Sequence, residues 1–371
     1  MPPARDPAET TTPSRANFPL VSLIIPCRNE ERFIGACLDS LLANDYPKDR
    51  LEILVVDGLS TDATRSLVED YTRRYPFIRL LSNPKRIIPS ALNIGIRSAR
   101  GEVIMKIDAH TTYAPTYIRR CVEALQEYGA DMVGGRLTHL PAQETLQGHA
   151  IAHCLMHPFG SLNSYFRIGS DRPRWVDAAA FGCWPRGVFQ RIGLFREDLV
   201  RNSDTDFNRR LLQSGGRILL VPDAVGYYRS DATFWRFFRH NLRDGFWATY
   251  PVKFGIALRW RHYAPIGLLA LFLGLVAVGV VWPPLAVLPG LMLGGYAGTS
   301  LWIAVRTALR ERRAGYLIAL PVAFGVRHAG YALGSIAGLV GAVISPLFWR
   351  NWLGRRSAGV GAPPPSLEGN T

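Results

Sequence analysis

From residue 19 onward, short unbroken apolar runs alternate with stretches whose apolar side chains recur every three or four positions, the two patterns that separate strands from amphipathic helices. The run VSLIIP at 21–26 reads as a strand that stops at Pro26 and gives way to the polar turn Cys27-Arg28-Asn29-Glu30-Glu31. Phe33, Ile34, Cys37, Leu38, Leu41 and Leu42 then return at helical spacing. The same alternation follows as strand 51–56, a helix with Leu67 and Val68 on its apolar face, strand 78–81, helix 88–98 and strand 103–107. A further helix ends near 128, and 131–136 reads as another strand. Strands alternating with helices predict a parallel sheet wound by right-handed crossovers.

Each of these strands ends in polar residues, and in an open α/β sheet ligands bind beyond the carboxyl ends of the strands. The stretch GEVIMKIDAHTTYAP at 101–115 is the sharpest case. Asp108 and His110 stand two apart on extended backbone and so point the same way. A carboxylate with an imidazole suits Mn2+ or Mg2+, a diphosphate filling the remaining positions; a strand that merely stops in a polar turn is the competing reading. Asp57, just past the second strand, is placed either to accept a nucleobase N–H or to begin a turn. The later motif NSDTDFNRR at 202–210 has Asn202 or Ser203 as a helix cap and Gly215-Gly216 as its terminator. Asp204 then falls in the first turn, where the positive helix end favours a carboxylate able to act as a base. Asp206 points elsewhere on that helix, and two acidic residues that simply favour a helix start are the alternative. His149, His153 and His157 recur every four residues, a spacing that suits a metal face but is read here as polar packing, since stacked histidines commonly serve that role.

IIPCRNEERFIGACLDSLLANDYP, VVDGLSTDAT and NPKRIIPSALNIGIRSARGEVIMKIDAHTTYAP, in that order, resemble the donor-nucleotide half of family 2 glycosyltransferases with the GT-A fold. Within the family the chain is most similar to bacterial succinoglycan and exopolysaccharide enzymes, over roughly 19–247. The resemblance implies a Rossmann-like GT-A domain of α/β class, with Pro26, Arg28, Glu30, Asp57, Arg86, Asn93 and Asp108 toward the donor. It also implies Asp108 and His110 on a metal, Asp204 as catalytic base, and Phe181, Gly182, Asp206 and Arg243 toward the acceptor or its diphosphate. Two departures stand out: Gly58 and His110 occupy positions where the family commonly has carboxylates. The Gln-x-x-Arg-Trp motif of processive relatives is also incomplete around Arg243, which argues for one sugar per event.

Composition adds a membrane. The net charge of +14 calls for an anionic partner. Its arginines cluster at 229–261 and 306–313, beside apolar segments, which favours lipid headgroups and argues against nucleic acid. No charged residue occurs between His262 and Arg306, an interval holding two apolar stretches at 264–281 and 285–305. A third, 316–348, is expected to break at Arg327-His328, as an interfacial piece followed by a span or a re-entrant hairpin. The five cysteines show no CxxC spacing and read as reduced thiols. The first residues, rich in Pro and Thr, carry no apolar stretch of signal-peptide kind. The expected organisation is a disordered tail at 1–18, a GT-A domain at 19–232, amphipathic interfacial helices at 233–262, a transmembrane region at 263–349 and a second tail at 350–371.

Taken together, these features predict a multi-pass inner (plasma) membrane enzyme with its catalytic domain in the cytoplasm. It would be an inverting, metal-dependent hexosyltransferase moving a sugar from a UDP donor to a polyprenyl-diphosphate-linked saccharide in exopolysaccharide assembly. A polyprenyl-phosphate glycosyltransferase and a non-catalytic nucleotide-binding membrane anchor are the alternatives.

Overall fold

The computed structural model describes residues 18–162, 164–256 and 260–350. The tails expected at 1–18 and 350–371 fall outside these apart from Phe18 and Arg350. In chain order the elements begin β1 (Val21–Cys27), α1 (Ile34–Leu42), β2 (Leu51–Asp57), α2 (Thr64–Arg74), β3 (Ile78–Ser82), α3 (Ile88–Ser98), β4 (Val103–Lys106) and β5 (Thr111–Tyr113). Next come α4 (Tyr117–Tyr128), β6 (Met132–Leu140), α5 (Leu146–Met156), α6 (Pro158–Ser161), α7 (Tyr165–Ile168), β7 (Arg174–Val176) and β8 (Ala180–Pro185). The remainder is α8 (Gly187–Ile192), α9 (Ser203–Gln213), β9 (Ile218–Arg229), α10 (Phe234–Thr249), α11 (Trp260–Val281), α12 (Val287–Glu311) and α13 (Tyr316–Val343).

The strands form one sheet in the order β3-β2-β1-β4-β8-β6-β9-β5, with β7 on β9. β3, β2, β1 and β4 are parallel, as the strand–helix alternation predicts. Beyond β4 the sheet is mixed: β8 runs antiparallel to β4 and to β6, a departure from the all-parallel expectation. β9, unforeseen from the sequence, extends it further. The register sets the functional edge. Cys27 pairs with Asp57 and Asp57 with Ser82, so the loops after β1, β2 and β3 leave from one level. Ile107 N–H donates to Ile24 O at 2.9 Å, which carries β4's register on and brings Asp108 up beside Pro26.

Two compact units emerge, one from the residues up to Arg136 with Asp171–Glu197 and Phe207–Gly226, the other from Leu137–Ser170, Asp198–Asp206 and the chain from Tyr227. This division does not follow a cut at 232. The core of the first unit packs Ile24, Leu54, Val56 and Ile104 of the parallel strands against Leu92 and Ile96 of α3. An aromatic group joins the same core, with Phe195 stacked on Phe207 at 4.4 Å and Trp184 edge-on to Phe207 at 5.6 Å. Phe207 and Leu211 are fully buried, which fixes α9. Leaving Phe207 exposed instead would forfeit about 2–3 kcal/mol.

The second unit is helical. His153 of α5 meets Tyr316 edge-on at 5.3 Å and His157 meets Phe324 at 5.9 Å, while His149 pairs with Glu144 at 2.8 Å. The three histidines thus have separate packing roles. α12, from Pro283, and α13 are long and apolar enough to cross a membrane, and Ile266–Val281 is a shorter apolar helix. α12 exposes Leu291, Leu293, Trp302 and Leu309, whereas α13 turns more of itself inward, 39% of its most apolar stretch against 11% for α12. The break expected at Arg327-His328 is absent. α13 is continuous because Arg327 donates to Gly160 O and Asn241 Oδ1, and His328 bonds Phe159 O and Tyr296 Oη. Gly330, Gly334 and Gly338 form a stripe that lets α13 lie directly on α10. A methyl group added at each would meet the backbone oxygens of Phe238, Leu242 and Phe246 in turn.

Candidate active site

The first unit gathers its polar residues at the carboxyl edge of β1, β2 and β4. The β1–α1 and β2–α2 loops are stapled to one another. Asn29 N–H donates to Ser60 Oγ at 2.9 Å, Thr61 N–H to Asn29 Oδ1 at 2.9 Å, Glu30 N–H to Thr64 Oγ1 at 2.7 Å and Ala63 N–H to Glu31 Oε2 at 3.0 Å. Three successive strand-to-helix loops each hold a residue other than glycine in the left-handed region, Asn29 and Leu59 at φ 56° and Arg86 at φ 58°. Each costs on the order of 1 kcal/mol. Strain concentrated at one sheet edge is typical of a binding site.

Asp108 and His110 both lie in the segment between β4 and β5, where Ala109 and His110 turn and Thr111 N–H closes back on Asp108 O at 3.1 Å, so the backbone there is not the extended one that the spacing suggested. Lys106 Nζ lies 3.6 Å from Asp108 Oδ1, and His110 Nδ1 lies 3.3 Å from Glu30 Oε1. Asp108 N–H donates to Tyr113 Oη at 2.9 Å and Cys37 Sγ reaches Asp108 O at 3.6 Å, so the turn is held from below. Burial would lower the His110 pKa, but the hydrogen bond to Glu30 and the charge of Asp108 outweigh it and raise it. The pocket therefore rewards positive charge. Glu30 engages one ring nitrogen, the arrangement by which a carboxylate orients a metal-ligating imidazole through its other nitrogen. Two protein donors fit a hard cation whose remaining positions come from phosphate oxygens and water. Among the described residues no group of three or more His, Cys, Asp or Glu is placed to hold a metal alone.

Arg28 and Arg86 are exposed on the same edge, and among the described residues neither has an ion-pair partner. Gly58 has a steric role beside Arg28: a methyl group there would lie 3.2 Å from Arg28 Cβ and 3.3 Å from Cδ, so glycine leaves room for the arginine stem. Cys27 adjoins Asp57. Burial first, then the charges of Asp57, Glu30 and Asp62, push its thiol up to about 12, which removes it as a nucleophile.

Other expected donor residues take different positions. The Asp57 side chain is 1% exposed, accepts from Ser60 Oγ at 2.5 Å and faces Arg65 at 3.7 Å. It shapes its loop and would need Ser60 to turn aside before meeting a base directly. Asn93 is a correction. Its amide donates to Phe195 O and Glu197 Oε1, both at 2.9 Å, and accepts Phe195 N–H at 2.9 Å, so it clamps the 195–197 turn instead of holding nucleotide. Asn93→Ala is expected to cost about 2–4 kcal/mol, visible as a lower melting temperature, because Phe195 loses partners for both backbone groups. A stability within 0.5 kcal/mol of wild type, an approximate limit, would remove the clamp. Phe181, expected near the acceptor, is 5% exposed and packs edge-on to Tyr113 at 5.3 Å. Its left-handed backbone, φ 52°, precedes the buried Gly182, where a side chain would overlap the Trp184 ring. Both build the floor of the region and do not present groups to a ligand.

In the second unit Asp204 is exposed in the first turn of α9, directly after Asn202 at φ 58°, and its Oδ1 accepts Thr205 N–H at 2.8 Å. Asp206 is 2% exposed. Arg201 pairs with Asp244 at 3.5 Å, tying the Asp204 segment to α10, which also carries the exposed Arg243. Arg201 drew no attention in the sequence because its partner lies 43 residues on (244 − 201).

The profile of Glycosyl transferase family 2 matches residues 22–193. Across 86% of this chain and 97% of its own, a Methanococcus voltae protein is 24% identical; it is named as a glucuronosyltransferase of dolichyl N-acetyl-α-D-glucosaminyl phosphate. The succinoglycan biosynthesis protein ExoA of Rhizobium meliloti is 28% identical over 67% of this chain and 82% of its own. Among solved structures, the mannosyltransferase PcManGT of Pyrobaculum calidifontis, in complex with GDP-Man and Mn2+, superposes with a TM-score of 0.54 at 19% identity, covering 86% of this chain and 87% of that one. Such a likeness establishes the mixed α/β GT-A fold.

Proposed function

We propose that this chain, a glycosyltransferase carrying a family 2 domain at residues 22–193, transfers a hexose from a nucleotide-sugar donor to a lipid-linked saccharide in exopolysaccharide assembly. The observation that carries the reading is the sheet edge where Glu30 engages His110 and Asp108 faces Lys106, with Arg28 and Arg86 exposed on the same edge. It is a setting for a diphosphate and its cation. The names of the Methanococcus and Rhizobium relatives support a lipid-borne acceptor and an exopolysaccharide product. The exposed apolar surface of α12 supports attachment to the plasma membrane through several helices, with the catalytic domain on the cytoplasmic side.

In this reading UDP is the donor nucleotide. Asp108 and His110 hold Mn2+ or Mg2+, which when bound neutralises charge on the departing diphosphate. Arg28 and Arg86 add fixed positive charge at the same edge. Asp204 takes the proton from the acceptor hydroxyl as the new bond forms, and Arg243 pairs with the acceptor's phosphate. One carboxylate base without an enzyme nucleophile gives single displacement with inversion at the anomeric carbon.

The test uses the full chain in detergent with Mn2+, screened for thermal stabilisation across UDP- and GDP-sugars, then assayed with polyprenyl diphosphate- and polyprenyl phosphate-linked acceptors. One nucleotide sugar at 100 times its Kd should stabilise by about 2.7 kcal/mol. Absence of any stabilising donor, or of product with every lipid acceptor, would refute the proposal.

A further inference from the structure

The two groups suited to hold a cation at the sheet edge each have a charged neighbour inside the protein, and the two neighbours have opposite sign. His110 Nδ1 meets the Glu30 carboxylate at 3.3 Å, which favours a cation beside the ring. Asp108 Oδ1 instead faces the ammonium of Lys106 at 3.6 Å, a charge that competes with any metal ion for the same carboxylate. The backbone places this pair firmly. Lys106 is the last residue of β4 and pairs with Ile24 of β1, and the ladder runs one step further through Ile107 N–H to Ile24 O at 2.9 Å. Asp108 follows at once, its N–H donated to Tyr113 Oη at 2.9 Å and its carbonyl taken by Thr111 N–H at 3.1 Å. Only 17% of the Lys106 side chain and 29% of that of Asp108 are exposed, so water screens their attraction little.

A lysine that only opposed the metal would weaken the site in which it stands. The conflict resolves when the ligand brings phosphate together with the cation. An ammonium on a four-carbon stem is a movable point charge with three donors, suited to phosphate oxygens from several directions, whereas a planar guanidinium is bound to one geometry. The backbone at Asp108 is pinned on both sides, so the lysine head is the part able to turn. We infer that Lys106 is an exchangeable cation of the donor site: it neutralises Asp108 until a divalent ion takes that carboxylate, and then turns to the diphosphate of the donor. The inference rests on the reading of Asp108 and His110 as the residues that hold Mn2+ or Mg2+. Metal and nucleotide then favour one another through the lysine, since the ion releases the ammonium to the phosphate and the phosphate draws it off the carboxylate. Arg28 and Arg86 add charge at the same edge without such an exchange, because among the described residues neither is paired with a carboxylate.

Lys106→Met tests this in the full-length protein in detergent, because methionine keeps the packed stem and removes the charge. Mn2+ alone should bind about 10-fold tighter, the worth of one opposing charge at this range. UDP in EDTA should bind roughly 10- to 100-fold more weakly, for want of a charge-assisted donor. A purely structural ion pair would not move the two affinities in opposite directions. Asp108→Asn gives the reciprocal result: Mn2+ binding is lost, while UDP in EDTA binds at least as tightly as to wild type because the ammonium is already released. Unchanged affinities in Lys106→Met overturn the exchange, as does a lower melting temperature with both affinities reduced together, or weaker binding of UDP in EDTA by Asp108→Asn. Glycoside formation by a wild type that binds no Mn2+ also overturns the exchange and leaves the transferase reading standing. Opposite shifts in Lys106→Met, in a protein whose wild type forms no glycoside, keep the exchange and remove the transferase reading.

Discussion

Asp204→Asn should lower kcat for sugar transfer by roughly 10²–10⁴-fold, the usual worth of a positioned base. The change is nearly isosteric. Ser203 still opens α9, and asparagine can accept Thr205 N–H as Asp204 Oδ1 does now at 2.8 Å. Phe207 and Leu211 anchor the helix through side chains that the substitution does not touch. The melting temperature and the affinity for nucleotide sugar should therefore stay at wild-type values while turnover falls. That split separates a base from a structural carboxylate, which would lose stability first. Near-wild-type turnover would move the base elsewhere, whereas a wild type that binds nucleotide sugar without turnover would favour the non-catalytic nucleotide-binding reading.

Gly334→Val should unfold or loosen the helical unit, at a cost of about 3 kcal/mol or more. The new side chain would run into the backbone oxygen of Leu242, and backbone cannot rotate away as a side chain can. Separating α13 from α10 would also part Thr249 Oγ1 from Ser335 O, now 2.7 Å apart, and draw Gly245 away from the Tyr331 backbone. Gly325 provides the control, because on the same helix it has nothing within 4 Å of an added methyl group. Gly325→Ala should raise stability by about 0.5–1 kcal/mol through helix propensity alone. Melting curves of both variants in one detergent decide the matter. Equal tolerance of Gly325→Ala and Gly334→Val would show that the two helices are not in direct backbone contact.

The parallel half of the sheet was legible because each strand is a short apolar run bounded by turn residues. Register then aligned Pro26, Asp57 and Asp108 as the carboxyl-end rule requires. Legibility failed where a residue's role depends on a distant partner. Asn93 belongs to a donor-like motif, yet its amide is claimed by a turn 102 residues away. Arg327 reads as an interruption until Gly160 and Asn241 are placed beside it. The resemblance places Phe181 toward the acceptor, but with its backbone in the left-handed region the ring packs edge-on to Tyr113. The glycines at 330, 334 and 338 are plain in the sequence; the helix they admit is not.

The stapling of the two loops after β1 and β2 bears on how such an enzyme changes over evolutionary time. With Asn29, Glu30 and Ser60 to Thr64 already fastened to one another, the conformational entropy of these segments is surrendered at folding, before any donor arrives. Nucleotide preference then cannot drift by remodelling one loop alone. A substitution in either would break bonds to the other, so viable lineages should acquire such changes as compensating pairs across the two segments.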